Sequence, residues 1–203
     1  MFLYSERPFR AVGTTREVSM QTLNKFSAQR RSTLLAALGC AVVPFGSVIA
    51  DITTYPELHL SLYNLHTTEK FNGAFWVGGE YDPDALRQIN HLLRDHRTDE
   101  VKSIDVKLLS ILYLVSKKVG KPDHPFSVIS GYRSAATNRK LAKNNSGVAR
   151  NSYHIKGQAI DIRLNGTDTK TLREAGLALR VGGVGYYEKS NFVHLDTGPY
   201  RAW

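Results

Sequence analysis

Ser152-Tyr153-His154-Ile155-Lys156-Gly157-Gln158-Ala159-Ile160-Asp161, set beside His194-Leu195-Asp196, decides how this chain is read. His154 and Asp161 lie seven residues apart, too far for one helical turn and of opposite parity on one straight strand. A turn must therefore fold them onto a common point, and Gly157 supplies it. Ala159 to Leu164 then alternates small or polar with branched apolar residues, the period-two pattern of a half-buried strand. Asp161 shares the face of Ala159 and Arg163, opposite Ile160, Ile162 and Leu164. Phe192 to Asp196 repeats the pattern, with His194 and Asp196 on one face and Val193 and Leu195 on the other. Two neighbouring strands of this kind would direct Asp161, His194 and Asp196 into one cleft, with His154 arriving from the adjoining loop.

Two imidazoles and a carboxylate, leaving a fourth position to water, make an open catalytic zinc site rather than a closed structural one. The expected ligands are His154, Asp161 and His194, for one Zn2+ per chain, and the chemistry is that of a metallohydrolase. Such an ion raises the acidity of a water and polarises a carbonyl, so a nearby carboxylate is needed to take the proton. Asp196 is the expected base; its alternative role is to hold a ligand histidine in one tautomer. Glu188, six residues before His194, stands in reserve. Ser130-Gly131-Tyr132-Arg133-Ser134 reads as a strand-to-helix turn in which Gly131 relieves backbone strain. Arg133 there either faces water or offers a guanidinium of fixed geometry to a substrate carbonyl or oxyanion.

Ser-x-His-x-x-Gly-x-Ala-x-Asp, followed by Phe-Val-His-x-Asp-x-Gly and preceded by Ser130-Gly131-Tyr132-Arg133-Ser134, resembles the zinc D,D-peptidase superfamily. That group includes vancomycin-resistance D-Ala-D-Ala dipeptidases, D-alanyl-D-alanine carboxypeptidases, phage endolysins and the Hedgehog signalling domain. Within it the resemblance is to the murein endopeptidases of Gram-negative bacteria, over about Leu58 to Trp203. The resemblance implies an α+β fold, an antiparallel sheet carrying the zinc site with helices packed on one side. It also implies hydrolysis of peptide cross-links in peptidoglycan during wall growth or remodelling. Arg133 then takes the substrate-binding and oxyanion role, with Ser152 and Tyr153 beside the substrate; Ser152 and Asn138 stand at motif positions suited to a hydrogen-bonding scaffold. There is one departure. The dipeptidase branch has an acid three residues before its second ligand histidine, where this chain has Asn191. Two alternatives accompany this reading: a D-Ala-D-Ala carboxypeptidase or dipeptidase, which a closed cleft would favour, and a non-catalytic, metal-stabilised wall-binding module. Whether the bond cut joins D-alanine to diaminopimelate or two diaminopimelates is open at this stage.

Residues 1–50 read as an export signal, cleaved after Ala50, and 51–203 as the zinc peptidase domain. Asn24 to Arg31 is a basic head, Leu34 to Val43 an apolar centre, and Val48-Ile49-Ala50 a small-residue cleavage site. Arg30-Arg31 resembles a twin-arginine signal, although Gln29 and Thr33 depart from its usual neighbours and leave the ordinary secretory route open. Met20 is an alternative start. From Thr33 to Ala50 the stretch is broken by Gly39, Pro44 and Gly46 and is short for a span of about 20 residues. The expectation is thus a periplasmic protein with no stable membrane insertion after cleavage. Cys40 is the one cysteine, so the metal site must use nitrogen and oxygen.

Net charge is +9, falling to a milder +5 once the six basic and two acidic residues of 1–50 are set aside. Such a surface suits polyanions, peptidoglycan included. The basic residues are not interleaved with aromatics on one element, so no nucleic-acid partner is expected. Leu58 to Val77 reads as a hairpin, with His59 and His66 at surface or edge positions. Asp82-Pro83 opens a helix through Leu93, where His91 and His96 are solvated. A second helix from Asp105 to Val119 buries one face and ends in Lys117-Lys118. A strand over 126–129 leads to the Arg133 turn and a helix around 137–143; another helix runs from Asp168 to Arg180. His124 sits in a loop, and the tail 197–203 packs on the domain.

Overall fold

Leu58, Leu60 and Leu62 are at most 1% exposed while Glu57 and His59 between them face solvent, so the first strand has one face in a core. Each such leucine contributes about 1.5–3 kcal/mol by burial, and a slip of one residue would turn all three outward. That strand is β1 (Glu57–Asn64), paired with β2 (Lys70–Val77) as the expected hairpin. β3 (Glu80–Tyr81) and α1 (Pro83–Leu92) follow, then α2 (Val106–Lys118), β4 (Phe126–Ser130) and α3 (Ala135–Asn144). A 3-10 turn (Tyr153–Lys156) enters β5 (Ala159–Leu164); α4 (Thr169–Leu179), β6 (Gly183–Tyr187), β7 (Phe192–Asp196) and β8 (Arg201–Ala202) complete the order. The structure is a computed structural model and describes residues 54–144 and 147–203. The export signal, its cleavage point and the alternative start lie outside those residues. Among the described residues no helix is long and apolar enough to cross a membrane.

The fold is α+β: one eight-stranded sheet in the order β3-β2-β1-β4-β5-β7-β6-β8. Most neighbours are antiparallel, as expected, but β1 with β4 and β6 with β8 are parallel, so the sheet is mixed. The first parallel pair follows from the long crossover through α1 and α2. The second arises because the tail returns beside β6 as a short strand, which the sequence reading left as packing tail.

Helix ends follow their sequence signals. Asp82 caps α1 by accepting from the amides of Asp84 and Ala85 at 2.8 and 3.2 Å, with Pro83 next to it; Asp105 caps α2 and Asp168 caps α4. α2 differs from the single buried face expected. Ser110, Ile111, Tyr113 and Ser116 are buried as well as Leu108, Leu109, Leu112 and Val115, because the helix packs against α4 as well as against β1 and β5. Its hydroxyls are satisfied within the helix, Ser110 by Val106 O and Ser116 by Tyr113 O. α3 buries only Thr137 and Asn138, adding no apolar side chain to the core.

Candidate metal centre and cleft

Antiparallel pairing of β5 with β7 sets Asp161 opposite His194 in the centre of the sheet. His154 comes from the 3-10 turn, whose first amides Ser152 caps through Oγ. That turn ends at Gly157 with φ of +69°, where an added Cβ would lie 2.5 Å from Ser103 O. Only glycine fits, so the hinge read from sequence is a steric requirement. Three ligand atoms result. Asp161 Oδ1 lies 2.8 Å from His194 Nδ1 and 3.2 Å from His154 Nε2, and the two nitrogens are 3.2 Å apart.

The far side of each ring determines what those nitrogens offer. His154 Nδ1 is 2.7 Å from Gly131 O, which can only accept, so Nδ1 carries the hydrogen and Nε2 presents a lone pair. His194 Nε2 donates likewise to Asp196 Oδ2 at 3.0 Å, leaving Nδ1 as a lone pair. Two lone pairs and a carboxylate oxygen thus meet in a buried site, an arrangement that calls for a cation between them. His154, Asp161 and His194 fit a metal ion, and this nitrogen and oxygen donor set suits zinc. The electrostatics agree for His154 and Asp161, while His194 runs the other way. Burial favours ionisation of neither His154 nor Asp161; it lowers His154, while for Asp161 the two imidazoles outweigh it and hold the carboxyl well below the ordinary range. His194 is also opposed by burial but is raised overall by hydrogen bonds to Asp161 and Asp196.

Asp196 departs from the expected position. It shares a strand face with His194 but meets that ring at Nε2, while the cluster lies at Nδ1 on the ring's opposite edge. Its carboxylate is fully buried and saturated: Gly183 N, Gly198 N and Arg201 Nη1 donate to Oδ1, and Arg201 Nη2 donates to Oδ2 at 2.6 Å. Burial disfavours its charge, yet His194 and Arg201 hold its pKa at about 2. The geometry is that of a group fixing a histidine tautomer rather than one reaching into the cleft.

Arg133 follows β4, whose end is held close to α1. Tyr132 N donates to Leu93 O at 2.7 Å, and a Cβ at Gly131 would meet Leu93 O at 2.5 Å. Gly131 has no positive φ, so close approach rather than relief of strain explains it. The Arg133 guanidinium is largely buried; Nη2 donates to Ser152 Oγ at 3.2 Å, and Nε is buried without a hydrogen-bond partner. Burial lowers its pKa, opposed by the charge of Asp161. A cleft of about 850 Å³ opens above the cluster, lined by Arg133, Ser152, Tyr153, Glu188, Phe192 and Trp203 among others. Asn138 braces one rim, Nδ2 donating to Ala149 O and Arg150 O at 3.0 and 3.2 Å. The other histidines stand apart. His59 pairs with Glu57 and His91 faces Glu69, both exposed, whereas His96 is half-buried and stacks on His66 with centroids 3.9 Å apart.

Asp95, Arg201 and Trp203 escaped the sequence reading. Asp95 is 1% exposed and accepts from Ser134 N at 2.9 Å and Arg97 N at 3.0 Å, fixing the loop that carries Arg133. Burial works against its charge, but hydrogen bonds from Thr137, Ser134 and Arg97 hold its pKa at about 2, against an ordinary 3.8. Its stabilisation is therefore complete above about pH 4 and is withdrawn as the pH falls toward 2. Asp95→Ala is expected to cost about 1–3 kcal/mol near neutrality by stranding the buried Ser134 amide, the Arg97 amide being able to turn to water. Urea denaturation at pH 7 and at pH 2.5 should show that deficit shrinking in acid; an equal deficit at both would remove the carboxylate from this role.

Two histidines and a carboxylate at the foot of an open cleft in an α+β sheet are the architecture of a metallopeptidase. The family profile described as peptidoglycan L,D-endopeptidase MepK matches residues 53–203, and the chain belongs to that family. It is 44% identical over 184 residues to the peptidoglycan L,D-endopeptidase MepK of Escherichia coli, covering 89% of this chain and all of the relative. The probable peptidoglycan L,D-endopeptidase MepK of Haemophilus influenzae is 41% identical over 167 residues, covering 82% and 89%. Among solved structures, the Serratia marcescens L-Ala D-Glu endopeptidase ChiX aligns with 47% of this chain and 80% of its own at 19% identity and a TM-score of 0.33.

Proposed function

We propose that this protein is a zinc-dependent endopeptidase that cuts peptide cross-links of peptidoglycan, at a bond joining an L-configured centre to a D-configured one. The observation that carries the reading is the convergence of His154 Nε2, His194 Nδ1 and Asp161 Oδ1, each histidine held from behind in the tautomer that frees its inner nitrogen. The bond preference rests on the names of the relatives and favours a diaminopimelate-to-diaminopimelate link, since D-alanine to diaminopimelate joins two D centres. Zinc bound there would supply Lewis-acid polarisation of the scissile carbonyl and a more acidic water. Arg133 supplies a desolvated guanidinium for the oxygen that gains charge as the carbonyl is attacked. Ser152 holds Arg133 in place, and Tyr153 walls the same side. Of the acids lining the cleft, Asp161 is engaged with both histidines, which leaves Glu188, exposed at the β6–β7 turn, as the candidate to take the proton.

Such a substrate lies outside the cytoplasmic membrane, in agreement with a periplasmic location and with export directed by residues 1–50, by the twin-arginine or the ordinary secretory route. Purified sacculi digested by the protein should release muropeptides whose cross-links are opened. Treatment with a chelator should stop release, and stoichiometric zinc should restore it. Release that persists through chelation and metal analysis showing less than 0.1 equivalent, an order-of-magnitude threshold well below one ion per site, would remove zinc from the reaction.

A further inference from the structure

Trp203 is 47% exposed, yet its ring lines the cleft with its centroid 5.3 Å from that of His194. An aromatic left in water on a floppy tail would mean little, but this one is braced. Trp203 N donates to Val184 O at 3.2 Å and Tyr186 N donates to Trp203 O at 2.9 Å, locking its backbone to β6. Nε1 donates to the Tyr187 hydroxyl at 3.0 Å, and the Arg201 guanidinium lies 5.0 Å from the ring centre. Beneath it Gly185 leaves room for the indole, since a Cβ there would come within 2.7–2.9 Å of three ring atoms. A rigid apolar face held open beside a reaction centre is what a bound ligand covers.

We propose that Trp203 is a specificity-determining residue whose indole packs against the methylene chain of the residue that supplies the scissile carbonyl. This rests on the peptidoglycan reading above. Its nearness to His194 places the ring at that residue rather than at the glycan, which lies several residues along the stem. On the carbonyl side a diaminopimelate side chain offers three methylenes to such a wall and D-alanine one methyl, whereas the amine side is diaminopimelate in either link. The indole therefore selects the diaminopimelate link by contact area, at about a tenfold gain for one to two buried methylenes.

Steady-state kinetics on a diaminopimelate-to-diaminopimelate muropeptide dimer test this. Trp203→Ala should raise KM roughly tenfold with kcat within about twofold and bound zinc unchanged, and Trp203→Phe should recover most of the loss. Trp76 is the other tryptophan and is buried, so titrating the same dimer into metal-stripped protein should change fluorescence through Trp203 and leave Trp203→Phe silent. An unchanged KM in Trp203→Ala, or a loss that tracks lost zinc, overturns the assignment while the wild type still cuts the dimer. A wild type that fails to cut any cross-linked muropeptide overturns the function itself.

Discussion

Replacing His154 with alanine is expected to lower hydrolysis of cross-linked muropeptides by at least about 10³-fold, the several kcal/mol that a Lewis acid contributes to such a reaction. The substitution removes one of three donors and leaves Asp161 and His194 facing an empty side of the cluster. It also frees Gly131 O, which had been bonded to Nδ1, so some stability goes with it. Zinc content by mass spectrometry, read beside circular dichroism, separates the two effects. Folded protein with little metal and little activity is the expected outcome; a folded variant retaining wild-type turnover would end the zinc reading.

Arg133→Ala should cost about 10²–10³-fold in kcat, the size of loss seen when one preorganised donor to a developing oxyanion is removed. The reasoning is electrostatic. A guanidinium taken largely out of water, with Nε unpartnered and a single serine contact on Nη2, is poised to bind negative charge. Zinc content should be untouched, because Arg133 contacts none of the three ligand atoms through its side-chain hydrogen bonds. Arg133→Lys should recover only part of the rate, as a point charge cannot reproduce the planar fork. If kcat stays within about threefold, less than the loss of one such donor, Arg133 serves the architecture of its loop alone.

The ligand strands were legible because alternation has a fixed parity: once β5 and β7 are recognised, Asp161 and His194 each fall on the polar face of their strand, and the observed register puts them side by side on one face of the sheet. Gly157 was legible for the same kind of reason. Asp196 shows where the method stops. Parity placed it on the face of His194, but which nitrogen of the ring it meets depends on Gly183, Gly198 and Arg201, residues brought in by tertiary structure. Asp95 was hidden because its partner amides on Ser134 and Arg97 carry no side-chain signature. The tail was underestimated: Arg201-Ala202 is too short a strand to announce itself, although an arginine and a tryptophan two residues apart after Gly198-Pro199 were a hint of a part in the site.

Neighbouring strands in the middle of the sheet supply Asp161 and His194, and the end of a third, β4, supplies the carbonyl that fixes His154. None of these pairings is local, so the cage cannot preassemble on a short piece of chain. The complete three-donor site for a cation therefore exists only where that long-range registration is in place. Metal held by all three groups would accordingly be a chemical certificate of finished folding, since an unfolded copy offers only the weak contacts of separate imidazoles.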